Sequence, residues 1–203
     1  MSGKPKTVFV GDSLIEGGRW QEWFPELEAV NLGVGGDTTE GLIARLDEVA
    51  AEDPDTVVLL IGTNDVANRR GIEQVVRGIE TALANIRAAS PDARILVQSV
   101  LPRGAEYAEF VKEINRHVWQ FAATVRAHYL DLWPVMAVES GELNPAFTED
   151  RLHLNEEGYK AWLSELEPAL ERVHDLPPSS RPIRLPELQA QMAAEQAKRA
   201  EQE

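Results

Sequence analysis

Thr56–Ile61 reads TVVLLI, a threonine followed by an unbroken apolar run. A strand with one wet face alternates apolar and polar residues. A strand that does not alternate needs cover on both faces, which is the condition inside a parallel sheet flanked by helices. Four further short β-rich runs accompany it: Thr7–Val10 ending at Gly11, Ala29–Leu32 ending at Gly33, Arg94–Leu101 stopped by Pro102, and the weaker Tyr129–Leu132. Between the runs lie segments of helical period. Leu42, Ile43, Leu46, Val49 and Ala50 follow one stripe, with Asp37 and Glu40 upstream reading as a capping box whose cap is Asp37. Ile72, Val75, Val76, Ile79, Leu83 and Ile86 form a second stripe. Phe110, Ile114, Val118, Phe121 and Val125 form a third. Tyr159, Trp162, Leu163, Leu166 and Leu170 form a fourth, with Asn155 as its N-cap. Gln21–Phe24 reads as part of a further helix. Five strand-to-helix repeats predict an α/β fold, a five-stranded parallel sheet between helical layers.

Right-handed crossovers bring every strand C-terminus to one edge of such a sheet, and ligand sites form at that edge. A candidate functional residue should therefore follow a strand. Ser13, in Gly11-Asp12-Ser13-Leu14, follows the first. Taken alone, this pair reads first as a helix N-cap and second as an exposed nucleophile over helix N–H groups. Asn31-Leu32-Gly33-Val34-Gly35-Gly36-Asp37 follows the second strand. Its glycines allow a peptide N–H to approach a ligand, and a tight turn at Gly33 is equally compatible. A dinucleotide fingerprint does not fit, because Thr38 stands where the third glycine belongs. Asn64, in Gly62-Thr63-Asn64-Asp65, follows the most apolar strand and is either an amide donor or the start of an Asx-turn.

Asp150-Arg151-Leu152-His153 lies between the fifth strand and the last helix. A three-residue step lets the carboxylate reach the imidazole, fix its tautomer and leave the other ring nitrogen as a base. His117 and His128 read as lying on or just after a helix, and Glu171/His174 sits at the far end of the last helix. His153 alone passes the strand-edge criterion. Ser13, Gly36, Asn64 and Asp150/His153 together supply a nucleophile, oxyanion donors, a base and its orienter.

In order and spacing, these four blocks resemble those of the SGNH (GDSL) hydrolases from about Thr7 to Val173. The loop Asn31–Thr39 and Leu152-His153-Leu154-Asn155 are similar to the platelet-activating-factor acetylhydrolase catalytic-subunit branch of that family. The resemblance implies a three-layer α/β/α flavodoxin-like sandwich and hydrolysis of carboxylic esters without a cofactor. No metal is expected to be needed, since there is no Cys and, of four scattered His residues, one stands at the active edge. It implies Ser13 as nucleophile, His153 as base, Asp150 as its orienter, and an oxyanion hole from the Ser13 and Gly36 N–H groups and the Asn64 amide. Short loops leave little material for a lid or a deep acyl tunnel, favouring an acetyl-sized acyl group. Arg103 and Tyr107, in Pro102–Ala108, either line the leaving-group side or belong to an ordinary surface loop. The alternatives are a lysophospholipase or thioesterase acting on longer chains and, in a different class, a nucleotide-binding domain on the same kind of sheet.

Composition narrows the setting. The chain has 203 residues, which suits one domain, and no apolar run nears the roughly 18–20 residues of a membrane span. The N-terminus lacks the long apolar stretch of a secretory signal. Cysteine is absent, excluding disulfides and thiol catalysis. Asp plus Glu at 34 against Lys plus Arg at 20 gives a net charge of −14, expected to repel nucleic acid and anionic bilayers. A cytoplasmic location is expected. Residues 1–174 read as the hydrolase domain. Residues 175–203 read as a Pro-rich linker followed by a helical tail, whose thin stripe of Leu188 and Met192 suggests docking on the body or on a second subunit as a homodimer.

Overall fold

The computed structural model describes residues 3–175 and 177. Five strands alternate with helices: β1 Lys6–Gly11, α1 Ser13–Glu16, α2 Trp20–Trp23, β2 Glu28–Gly33, α3 Thr39–Ala44, α4 Leu46–Ala51, β3 Thr56–Leu60, α5 Thr63–Ala67 and α6 Ile72–Ala89. They continue with β4 Arg94–Gln98, α7 Ala108–Ala122, β5 Ala127–Leu130, α8 Trp133–Met136 and α9 Glu156–Asp175. The strands form one sheet in the order β2-β1-β3-β4-β5. Every neighbouring pair is parallel. This is the flavodoxin-like order.

The absence of alternation in β3 is explained by two cores. Val57 and Leu59 face one side with Val8, Val10, Ile95 and Val97, under Leu42, Val49, Ile79, Leu83, Ile114 and Val118 from α3, α4, α6 and α7. Val58 and Leu60 face the other with Phe9 and Leu96, under Leu14, Trp20, Met136, Trp162 and Leu166 from α1, α2, α8 and α9. Successive strand residues point to opposite faces, so a strand between two apolar layers must be apolar throughout. The second core is aromatic: Phe9 stacks on Trp20 at 4.3 Å, and Trp20 meets Trp162 edge-on at 5.4 Å.

Several elements differ from expectation. The last strand is Ala127–Leu130, not Tyr129–Leu132, because Leu132 is buried in the turn into α8 rather than in the sheet. His128 therefore sits within β5, not on or after a helix. The fourth strand ends at Gln98, and Ser99–Leu101 continue as buried loop. Asp37 is not a cap. Thr38 caps α3 through the Gly41 N–H, and the expected helix is broken into α3 and α4 at Arg45. On α7 the buried stripe is Val111, Ile114, Val118 and Ala122, rotated slightly from the Phe110–Phe121 line. Asn155 does cap α9, its Oδ1 accepting from the Gly158 N–H at 3.0 Å. Asp175 is the last residue of α9 rather than the first of a linker. The remainder of the linker, apart from Pro177, and the tail lie outside the described residues.

Candidate active site

The site grows out of strand ends. β1 stops at Gly11, whose glycine is required by crowding: a Cβ there would lie 1.9 Å from the Leu60 carbonyl oxygen of β3. Asp12 then caps α1, its Oδ1 accepting from the Leu14 N–H at 3.0 Å. The cap role thus falls to Asp12 and leaves the Ser13 hydroxyl for other work. Ser13 Oγ lies 3.1 Å from His153 Nε2.

The imidazole is held from its other side. His153 Nδ1 is 2.7 Å from Asp150 Oδ2. Asp150 Oδ1 accepts from the backbone N–H groups of His153 at 2.7 Å and Leu152 at 2.9 Å. The Thr148 hydroxyl donates to the same oxygen at 3.2 Å. Arg151 takes a left-handed φ of 64°, and this turn folds His153 back over Asp150. The hydrogen bond to His153 holds the Asp150 carboxyl well below the usual carboxylate range, and the two backbone N–H groups add to that. An ionised Asp150 fixes the proton on Nδ1, so Nε2 faces Ser13 as an acceptor. The side chains of His153 and Asp150 are 55% and 53% exposed, so the pair stands half open to solvent.

The other two blocks meet beside Ser13's strand. Gly36 has a φ of +77°, which accounts for a glycine there, and a Cβ would meet nothing within 4 Å. Asn64, on α5, donates through Nδ2 to the Asp37 carbonyl at 2.8 Å. That bond uses one amide hydrogen and leaves the second. The loop is tied to β1 by the Val34 N–H, which donates to the Gly11 carbonyl at 3.0 Å.

Further contacts, none of them read from the sequence, complete the framework. Asp65, fully buried, accepts from the Thr39 N–H at 2.9 Å and the Thr39 hydroxyl at 2.8 Å, joining α5 to the start of α3. Arg45 donates to Asp37 Oδ2 at 2.8 Å and to the Gly11 carbonyl at 3.0 Å. These contacts span 8 and 34 residues, where no local spacing rule reveals them. Arg103 donates to the Thr63 carbonyl at 2.8 Å and stands over the Tyr107 ring at 5.6 Å, so its guanidinium braces the residue before Asn64.

Asp12, beside the serine, has an unusual carboxyl. It is fully buried, its Oδ2 has no hydrogen-bond partner among the described residues, and burial pushes its carboxyl up to about 7. Between 3.8 and about 7 the folded state holds a proton that the unfolded state has lost, so stability falls as pH rises through that window. Asp12→Asn keeps the capping oxygen and removes the ionisation. Its gain over wild type should exceed about 1 kcal/mol, or roughly 2–4 °C, above about pH 8 and fade toward pH 4. Thermal melts of both proteins across that range check it. A gain independent of pH would contradict the assignment.

Comparison with known proteins places the chain among relatives. The profile of the GDSL-like Lipase/Acylhydrolase family matches residues 9–161. Platelet-activating factor acetylhydrolase IB subunit alpha1 of Rattus norvegicus is 35% identical over 167 residues, covering 77% of this chain and 71% of the relative. Subunit alpha2 of Rattus norvegicus is 32% identical over 167 residues, covering 77% and 72%. Among solved structures, a GDSL-like lipase of Bacteroides thetaiotaomicron matches with a TM-score of 0.73 at 24% identity, covering 83% of this chain and 89% of that one. A mutant acetyl esterase solved with an acetate ion matches with a TM-score of 0.69 at 16% identity, covering 84% and 99%. At these identities the two structures speak to the fold.

Proposed function

The chain belongs to the GDSL-like Lipase/Acylhydrolase family and is an ester hydrolase of that type, and we propose that it is a serine esterase that removes short acyl groups, acetyl foremost, through an acyl-enzyme on Ser13. One observation carries this reading: an unbroken relay runs from Ser13 Oγ to His153 Nε2 at 3.1 Å and from His153 Nδ1 to Asp150 Oδ2 at 2.7 Å.

The reaction follows from those positions. His153 Nε2 takes the Ser13 proton as Oγ bonds to the ester carbonyl carbon. The carbonyl oxygen becomes an oxyanion, which the Ser13 and Gly36 N–H groups and the free Asn64 amide hydrogen would receive. Collapse of the tetrahedral intermediate breaks the bond to the alcohol oxygen, which leaves with the proton from Nε2. Water, deprotonated by the same nitrogen, then attacks the acyl-enzyme and releases the acid. Asp150 stabilises the imidazolium at each proton transfer and stays ionised throughout.

Substrate size is read from exposure and from relatives. His153 and Asp150 are about half exposed, which suits a small acyl group at an open site. The relatives named acetylhydrolase support an acetyl group as the acyl half. No helix among the described residues is long and apolar enough to cross a membrane. We place the enzyme in the cytoplasm, acting on a small-molecule ester.

The test is a panel of chromogenic esters from acetyl to palmitoyl, run beside acetylated sugars. Acetyl esters should be turned over fastest. A maximum at long acyl chains would replace this reading with a lysophospholipase or thioesterase. The tail beyond Asp175 follows every proposed site residue, so truncation there should leave kcat within a few-fold while reducing the oligomer to a monomer if the tail makes a homodimer. Kinetics and light scattering on the truncate check both, and a collapse of kcat in a folded truncate would place the tail in the site.

A further inference from the structure

Arg45 occupies the break between α3 and α4, and its guanidinium side chain is largely buried, at 15% exposure, beside an Asp37 side chain at 8%. Its Nε donates to Asp37 Oδ2 at 2.8 Å, and its Nη2 donates to the Gly11 carbonyl at 3.0 Å. Gly11 lies two residues before Ser13. Asp37 follows Gly36, and its own carbonyl accepts the Asn64 amide at 2.8 Å. One planar cation thus touches the segment that ends at the nucleophile and the loop that presents Gly36. Through Asp37 it also reaches the helix that presents Asn64.

Stability alone accounts poorly for this placement. Among the described residues, Arg45 Nη1 is buried without a hydrogen-bond acceptor, and the carboxylate of the exposed Glu48 is 3.8 Å away. A buried ion pair with an unsatisfied donor is a poor source of folding energy and a good source of fixed geometry. An oxyanion hole needs fixed geometry, because its donors act only if aimed before the reaction begins. We propose that Arg45 is a positioning residue that sets Gly36 and Asn64 against Ser13, an inference that rests on the serine-esterase reading above. The rigid fork of the guanidinium suits the task. A lysine ammonium, one point of charge, cannot hold the Asp37 carboxylate and the Gly11 carbonyl in the same register.

The experiment compares wild type, Arg45→Lys and Arg45→Ala on the best ester of the panel. Sites are counted by complete reaction with a fluorophosphonate, so that unfolded protein does not enter kcat. Both variants should lose about 10²-fold in kcat per titrated site, since small misplacements of donors cost that much, while KM stays within a few-fold. Guanidinium ion at sub-denaturing concentration should restore part of the Arg45→Ala rate with saturation. A kcat per titrated site equal to wild type in either variant overturns the proposal. Should neither variant fold, Asp37→Asn serves instead. It keeps the backbone carbonyl that holds Asn64 while weakening the Arg45 contact, and its kcat per site should fall about tenfold, an unchanged value again overturning the proposal. A wild-type protein that neither reacts with the fluorophosphonate nor hydrolyses any ester is a different failure. It removes the serine-esterase reading and this inference with it.

Discussion

Ser13→Ala should abolish turnover, with a loss on the order of 10⁶-fold in kcat, about 8 kcal/mol. The size follows from the role: without Oγ there is no acyl-enzyme, and only binding and the oxyanion donors remain to act on water. The same substitution should leave stability almost untouched. Asp12, not Ser13, caps α1 through the Leu14 N–H, and the hydroxyl's hydrogen bond is to His153, at a surface where both His153 and its Asp150 partner are about half exposed. A helix cap would behave in the opposite way, costing about 1 kcal/mol of stability on replacement by alanine. Steady-state kinetics and thermal melting on one preparation separate the two. Reaction with a serine-directed phosphonate adds a third measurement, since it should modify Ser13 in wild type and nothing in the variant. Modification at another serine, or turnover retained in Ser13→Ala, would sink the assignment.

The parts of this fold that were legible in the sequence are those set by local patterns. An unalternating β3 requires two apolar layers, and both are present. The strand-to-helix junctions carrying Ser13, Gly36 and Asn64 could be located because each follows its strand within a few residues. Asp150 and His153 could be paired because three residues span one turn. What escaped is set by competition or by distance. Asp37 reads as the cap of α3, but the role falls to its neighbour Thr38 because Asp37 is drawn to Arg45. β5 was displaced by two residues because Leu132 is as apolar as a strand residue but buried in a turn. The Asp65–Thr39 and Arg45–Gly11 contacts join segments 26 and 34 residues apart, and only the assembled fold brings them together.

Asn64→Ala should lower kcat by about 10²–10³-fold, or roughly 3–4 kcal/mol, with KM changed far less. Asn64 follows β3, whose residues are buried from Thr56 to Leu60, so the base of its helix is fixed by packing on both faces. One amide hydrogen is committed to the Asp37 carbonyl at 2.8 Å, which sets the plane of the amide and the direction of the other hydrogen. A donor fixed in this way meets the oxyanion of the tetrahedral intermediate better than the ground-state carbonyl, and the difference appears in kcat. The same hydrogen bond gives a competing account in which Asn64 only ties α5 to the Gly36 loop. Loss of that bond costs about 1 kcal/mol, or roughly 2–4 °C in a domain of this size, and leaves folded molecules active. The oxyanion role therefore requires a deep loss of kcat beside a small fall in melting temperature. The tether role requires the small fall alone. Kinetics per phosphonate-titrated site, measured beside the melt, decide between them, and an unchanged kcat per site would remove Asn64 from the oxyanion hole.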